Sequence, residues 1–255
     1  MRLNVLALLL AASLPAAALA DQATTPGAVP AAVTAAVNDP ARQADAVNDS
    51  RRKITELATF AGVQPGQRVV DLIPGSGYFT RVFSQIVGPK GRVFAVWPTE
   101  YAKEAESDVK GSRALAADPH YNNVVVLVQP AAAVSLPEKA DVVFTSQNYH
   151  DYPDPFMGKV DLARFDKQVF DALKPGGTFV VIDHVAEAGS GLRDTNTLHR
   201  IDPAIVRKQV EAAGFVFDGE SNVLRNPADD HTLKVFDPKI RGKTDQFVYR
   251  FRKPK

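Results

Sequence analysis

Four short stretches of this chain carry side chains able to do chemistry. Gln147-Asn148-Tyr149-His150-Asp151-Tyr152 sets a histidine beside a carboxylate, and Asp183-His184 repeats the pair. His199-Arg200-Ile201-Asp202 and Asn226-Pro227-Ala228-Asp229-Asp230-His231 add further imidazoles and acids. Imidazole titrates near neutral pH, so His150 is a candidate general base, with Asp183 and His184 as catalytic partners if the fold brings them together. Imidazole and carboxylate side by side also suit a divalent metal ion. No His-Glu-x-x-His pattern is present to fix such a site. Asp202 before Pro203 reads as a helix N-cap with proline at the first helical position. Arg200 has the fork geometry that anchors anions. The Asp-rich run at 226–231 reads as a turn, or as a lid over a site.

A fifth stretch, Val69 to Phe83, is built differently. Val69, Val70 and Leu72 form a short β-rich run carrying Asp71, and Ile73-Pro74-Gly75-Ser76-Gly77 turns the chain. Phe79, Val82, Phe83, Ile86 and Val87 then recur at helical spacing. Strand, glycine turn and helix in that order make the first unit of a nucleotide-type site. Glycine lets backbone approach a ligand, and the helix N-terminus presents a positive dipole end.

The elements that must position these groups follow from hydrophobic pattern and turn signals. Pro40 to Ala61 reads as a helix ended by Gly62, with Arg51, Arg52 and Lys53 on a solvated face. Strands are expected at Val69–Leu72, Arg92–Trp97, Asn123–Val128, Ala140–Thr145 and Thr178–Ile182, from Phe215 and over Asp245–Phe251; the third looks buried on both faces. Helices are expected from Phe79, over Thr99–Ala117, from Leu162 to Leu173 and around Val206–Ala213. Strands alternating with helices predict an α/β fold: a Rossmann-like, doubly wound, seven-stranded and mostly parallel sheet, with a C-terminal antiparallel strand pair. In such sheets the ligand lies outside the C-terminal strand ends, at the switch point. That draws Pro74–Tyr78, Trp97–Tyr101, Ser146–Tyr152 and Asp183–Glu187 into one cleft.

Composition sets the bounds. The 255 residues are 45% hydrophobic and 23% charged, with no cysteine, which excludes disulfides, thiolate metal sites and cysteine nucleophiles. Arg2, an apolar run and Ala18-Leu19-Ala20 ahead of Asp21 read as a signal peptide over residues 1–20, too short to be a spanning helix. The expected location is periplasmic or secreted. Residues 21–39, rich in Ala, Thr and Pro, read as a flexible lead-in, and 40–255 as one domain. Without Arg2 the 30 basic residues become 29, matching the 29 acidic ones, so nothing global predicts nucleic acid or stable membrane insertion. A small-molecule substrate is the expected partner, and oligomeric state is not legible.

Several of these motifs resemble class I S-adenosylmethionine-dependent methyltransferases. Asp71-Leu-Ile-Pro-Gly-Ser-Gly77 is similar to that family's acidic-x-Gly-x-Gly-x-Gly loop. Leu173–His184 resembles its fifth-strand segment, Ala140–Phe144 its fourth strand, and Val210–Phe215 its junction into strand six. More narrowly, His199–Asp202, Asn226–His231 and Val235–Phe247 resemble an exported bacterial group labelled only "predicted methyltransferase". The resemblance implies S-adenosylmethionine as cofactor, held by Asp71, Pro74, Gly75, Ser76, Gly77, Trp97 and Asn148, with a small-molecule methyl acceptor near His150. Three departures accompany it. Ile73 stands in place of the first loop glycine. Trp97 stands where a ribose-binding acid ends strand two, with Glu100 nearby as a substitute. Gln129–Ala132 holds no acid for the adenine. Methyl transfer is therefore the leading reading. A non-catalytic small-molecule binder on the same fold is the alternative, and a hydrolase using a metal on His150, His184 and His231 is a third.

Overall fold

The structure is a computed structural model describing residues 28–255; the expected signal peptide lies outside the described residues. Its centre is a seven-stranded sheet of β1 (Arg68–Leu72), β2 (Arg92–Pro98), β3 (Val124–Gln129), β4 (Ala140–Ser146), β5 (Leu173–His184), β6 (Val216–Glu220) and β7 (Gln246–Arg252). The order is β3-β2-β1-β4-β5-β7-β6. Strands β1 to β5 are parallel, and β7 runs antiparallel to both β5 and β6. This is a Rossmann-like, mostly parallel sheet with a terminal antiparallel pair, as the pattern predicts.

Helices cover both faces. In chain order they are α1 (Ala31–Val37), α2 (Gln43–Ala46), α3 (Asp49–Arg52), α4 (Ile54–Ala61), α5 (Tyr78–Val87), α6 (Thr99–Glu104), α7 (Glu106–Ala117), α8 (Leu162–Ala172), α9 (Thr195–Leu198) and α10 (Pro203–Ala212). Period-two alternation sorts the strand side chains. Val69, Val93, Val142 and Phe144 meet Leu57, Val82, Phe83 and Ile86 on one face. Val70, Leu72, Val143 and Phe179 meet Phe165, Val169, Val206 and Val210 on the other. Each of these buried side chains contributes about 1.5–3 kcal/mol on leaving water, so both faces are firmly covered.

Four expectations change. The helix expected over Pro40–Ala61 is several short pieces, and the break between α3 and α4 falls at Lys53, which takes a left-handed φ of 52°. The helix expected over Thr99–Ala117 breaks at Ala105. Strand β3 is not buried on both faces, since it forms the sheet edge and most of its side chains are half-buried or exposed. Part of the expected flexible lead-in is α1, whose Val33 and Ala36 are buried against the α4 and α5 layer.

Candidate active site

The chain reverses direction across the sheet between β1 and β4, and a cavity of about 600 Å³ opens there. Its floor is the turn after β1. Asp71 shares a face with Val69, which aims its carboxylate at α5, where it accepts a 2.6 Å hydrogen bond from Thr80. Burial raises Asp71 from the usual carboxylate range to about 7, against the pull of Thr80 and Arg52. Ile73 follows with φ 53°, the conformation a glycine favours, while its side chain is buried. Gly75 (φ 56°) and Gly77 (φ 82°) complete the turn, and a Cβ at Gly75 would meet nothing within 4 Å. Pro74, Gly75 and Ser76 line the cavity; Gly77 stands just behind them as the N-cap of α5.

The second wall comes from the segment after β4. Asn148 donates to the Ile73 carbonyl (3.1 Å) and to the Ser146 carbonyl (2.7 Å), tying the two turns together. His150 is buried and clamped by Asp183. Its backbone N–H donates to Asp183 Oδ2 (2.8 Å), and its Nδ1 lies 2.7 Å from Asp183 Oδ1. Asp183 also accepts from the His184 backbone. Asp183 therefore sits behind His150 and orients it, rather than facing the cavity. On the other edge of the ring, Nε2 lies 3.2 Å from Asp151 Oδ1 and 3.3 Å from His199 Nδ1. Although burial opposes a charge there, the two carboxylates win and raise His150 to about 10. His184 lines the cavity with Nδ1 on Thr244 Oγ1 (2.7 Å), and burial lowers it to about 4, so it is neutral.

The expected trio of His150, Asp183 and His184 is thus brought together at adjoining strand ends. Other assignments change. Trp97 is fully buried, its indole N–H donating to Ser112 Oγ, so it stands behind the cavity wall and offers no face for stacking. Glu100 accepts from the Ala131 backbone at 2.8 Å and is committed there. Arg200 is completely buried and forms a two-pronged ion pair with Asp229, which makes it part of the scaffold. His231 pairs with Asp245 and lies off the cavity wall, so His150, His184 and His231 form no common centre. Asp202 caps α10 by accepting from Ala204, as its place before Pro203 predicts.

Several residues absent from the expected set line the cavity. Arg52 lays its guanidinium 4.3 Å from the Tyr78 ring centroid and 5.0 Å from that of Phe79, and no carboxylate among the described residues pairs with it. Glu104 and Asp108 reach the wall from the α6–α7 break, the region that follows β2. Tyr101, Phe156 and Phe236 form an aromatic rim. Three of the six non-glycine residues with positive φ among the described residues, Ile73, Gln147 and His199, lie on this cavity, so backbone strain concentrates there.

The profile of the protein-L-isoaspartate(D-aspartate) O-methyltransferase family matches residues 43–154, from α2 through His150 and Asp151. The chain is 29% identical over 180 residues to the ubiquinone/menaquinone biosynthesis C-methyltransferase UbiE of Vibrio cholerae. That match covers 68% of this chain and 63% of the relative, so the chain spans under two thirds of the length of that protein. Among solved structures, a SAM-dependent methyltransferase from Aquifex aeolicus superposes with a TM-score of 0.56 at 20% identity, covering 85% of this chain and 94% of that one. An S-adenosylmethionine-dependent methyltransferase from Mesorhizobium loti gives 0.56 at 18% identity over 79% and 97%. At these identities the structural matches establish the fold.

Proposed function

We propose that the protein is an S-adenosylmethionine-dependent methyltransferase acting on a small-molecule acceptor. The observation that carries this reading is the β1–turn–α5 unit opening onto a cavity at the switch point, with a buried acid and an unpaired guanidinium on its wall. A zwitterionic amino-acid moiety needs such a pair: Asp71 and the turn carbonyls for its ammonium, Arg52 for its carboxylate. Glu104 and Asp108 supply acceptors for ribose hydroxyls in place of the acid missing at Trp97. Gly75 leaves room for the ligand in the turn, and Asn148 holds the head of the turn through the Ile73 carbonyl. The family profile and the methyltransferase relatives support the same reading.

In the transfer, a nucleophilic atom of the acceptor bonds to the methyl carbon as the carbon–sulfur bond breaks. When bound, S-adenosylmethionine would supply the methyl group and retain the electron pair as a neutral thioether, and the acceptor proton would pass to a base or to water. Positioning supplies most of the acceleration in such an in-line displacement. His150, His184 and His199 stand at the acceptor side of the cavity, and the Tyr101–Phe156–Phe236 rim fits an acceptor with an apolar or aromatic part. The leader-like residues 1–20 support a periplasmic or secreted location and kinship with the exported group.

Titration of the purified chain with S-adenosylmethionine and S-adenosylhomocysteine tests the reading. Saturable binding of both, with one site, is the expected result; silence of both at millimolar ligand would overturn it. Ile73 and Trp97, in place of a loop glycine and a ribose acid, favour a second reading as a non-catalytic binder of another small molecule. Mass spectrometry of ligand co-purified with the chain separates the two.

A further inference from the structure

We propose that His150, Asp151 and His199 form a binding site for one first-row divalent transition-metal ion, opening into the cavity. The inference stands apart from the methyl-transfer reading, because it uses only the mutual geometry of these three side chains. His150 Nε2, Asp151 Oδ1 and His199 Nδ1 are 3.2, 3.3 and 3.7 Å from one another. A triangle with those sides has a circumradius of about 2.0 Å, so a point about 2.0–2.2 Å from all three atoms exists, the distance at which zinc holds imidazole and carboxylate ligands.

The ring of His150 is aimed by its surroundings. Asp183 accepts from the backbone N–H at 2.8 Å and lies 2.7 Å from Nδ1, which turns the Nε2 edge of the ring toward Asp151 and His199, where a bound cation would replace the Nε2 proton. A carboxylate behind a metal-binding imidazole fixes both tautomer and orientation. His199 is held in place from two sides. It takes φ 55° at the end of α9, and its ring lies 4.9 Å from that of Phe236. All three ligands line the cavity, so the remaining coordination positions face the space where a substrate oxygen or nitrogen would enter. Two imidazoles and one carboxylate favour zinc, iron, cobalt or nickel over magnesium or calcium.

The test uses the full chain without a histidine tag, stripped with chelator and titrated with Co²⁺, followed by Zn²⁺ competition. The expected result is one equivalent bound, with the visible bands of four- or five-coordinate cobalt that Zn²⁺ abolishes and Mg²⁺ does not. Asp151→Asn and His199→Asn should each weaken binding at least about tenfold, and Asp183→Asn about 10- to 100-fold. Asparagine tolerates a left-handed φ, so His199→Asn keeps the fold, checked by an unchanged melting temperature. His120→Asn and His231→Asn should change nothing. The proposal fails if no saturable equivalent binds, or if binding survives His199→Asn and is lost with either of the other two histidines.

Discussion

Arg52 and Asp71 decide most of what a ligand meets in the cavity. Hydrogen bonds to charged groups are worth about 1.5–3 kcal/mol each, so Arg52→Met should weaken S-adenosylmethionine binding about 10- to 150-fold. Calorimetric titration checks this, and an unchanged affinity would remove Arg52 from the carboxylate site. Asp71 adds a pH signature. Its carboxyl titrates at about 7 inside the fold, so it is largely protonated at pH 6 and largely ionised by about pH 8. A ligand ammonium pairs only with the ionised form, so affinity should rise from pH 6 to about pH 8, and Asp71→Asn should flatten the rise. A flat profile in the parent protein would show that the ligand cation lies elsewhere. Asp71 is legible from sequence because a lone acid in an apolar strand before a glycine turn has few other uses. Arg52 is not legible: it sits in a run of three basic residues, and the reversal at Lys53 that separates α3 from α4 breaks the periodicity that would show its facing.

At the scale of elements, the turn after β1 carries the clearest test. Replacing a buried isoleucine with glycine ordinarily costs more than replacing it with alanine, by about 1 kcal/mol of backbone entropy. At Ile73 the backbone is left-handed, where alanine is strained and glycine is not. Both variants lose the packing of a buried side chain, about 2–5 kcal/mol. Ile73→Gly should therefore be at least as stable as Ile73→Ala by urea unfolding; the usual order would show that the turn relaxes. The positions of the strands and of most helices were readable here, because period-two and period-3.6 patterns are local. Which residues meet at strand ends was only partly readable. His150 and Asp183 converge because β4 and β5 are neighbours, which the topology implies. His199 joins them through the short helix α9 and a left-handed cap, and no periodicity announces that. Trp97 misled for a related reason. Its position at the end of β2 is right, but its indole turns inward to Ser112.

For the whole molecule, two buried acids tie stability to pH. Asp71 titrates at about 7, and Asp166, buried beside Tyr149, at about 8, both raised chiefly by desolvation. The folded state thus holds protons that the unfolded chain, with carboxyls near 4, releases. Their contribution to stability is full below about pH 4 and is lost as pH rises through 7 and 8. Asp166→Asn keeps an acceptor for the Tyr149 hydroxyl and removes the titration. It should lose less stability than the parent between about pH 5 and pH 8, read by urea unfolding at each pH. An identical loss would mean that Asp166 does not carry a proton in the fold.

The placement of β7 also has a consequence in time. It lies between β5 and β6, and β6 has no other partner in the sheet. A growing chain that has completed β6 therefore holds a strand with nothing to pair with. Only when Gln246–Arg252 arrives can two ladders close at once. The edge beyond β5 should be the last part of the sheet to gain amide protection during refolding, with β5, β6 and β7 slowing their hydrogen exchange together while β1 and β4 do so earlier.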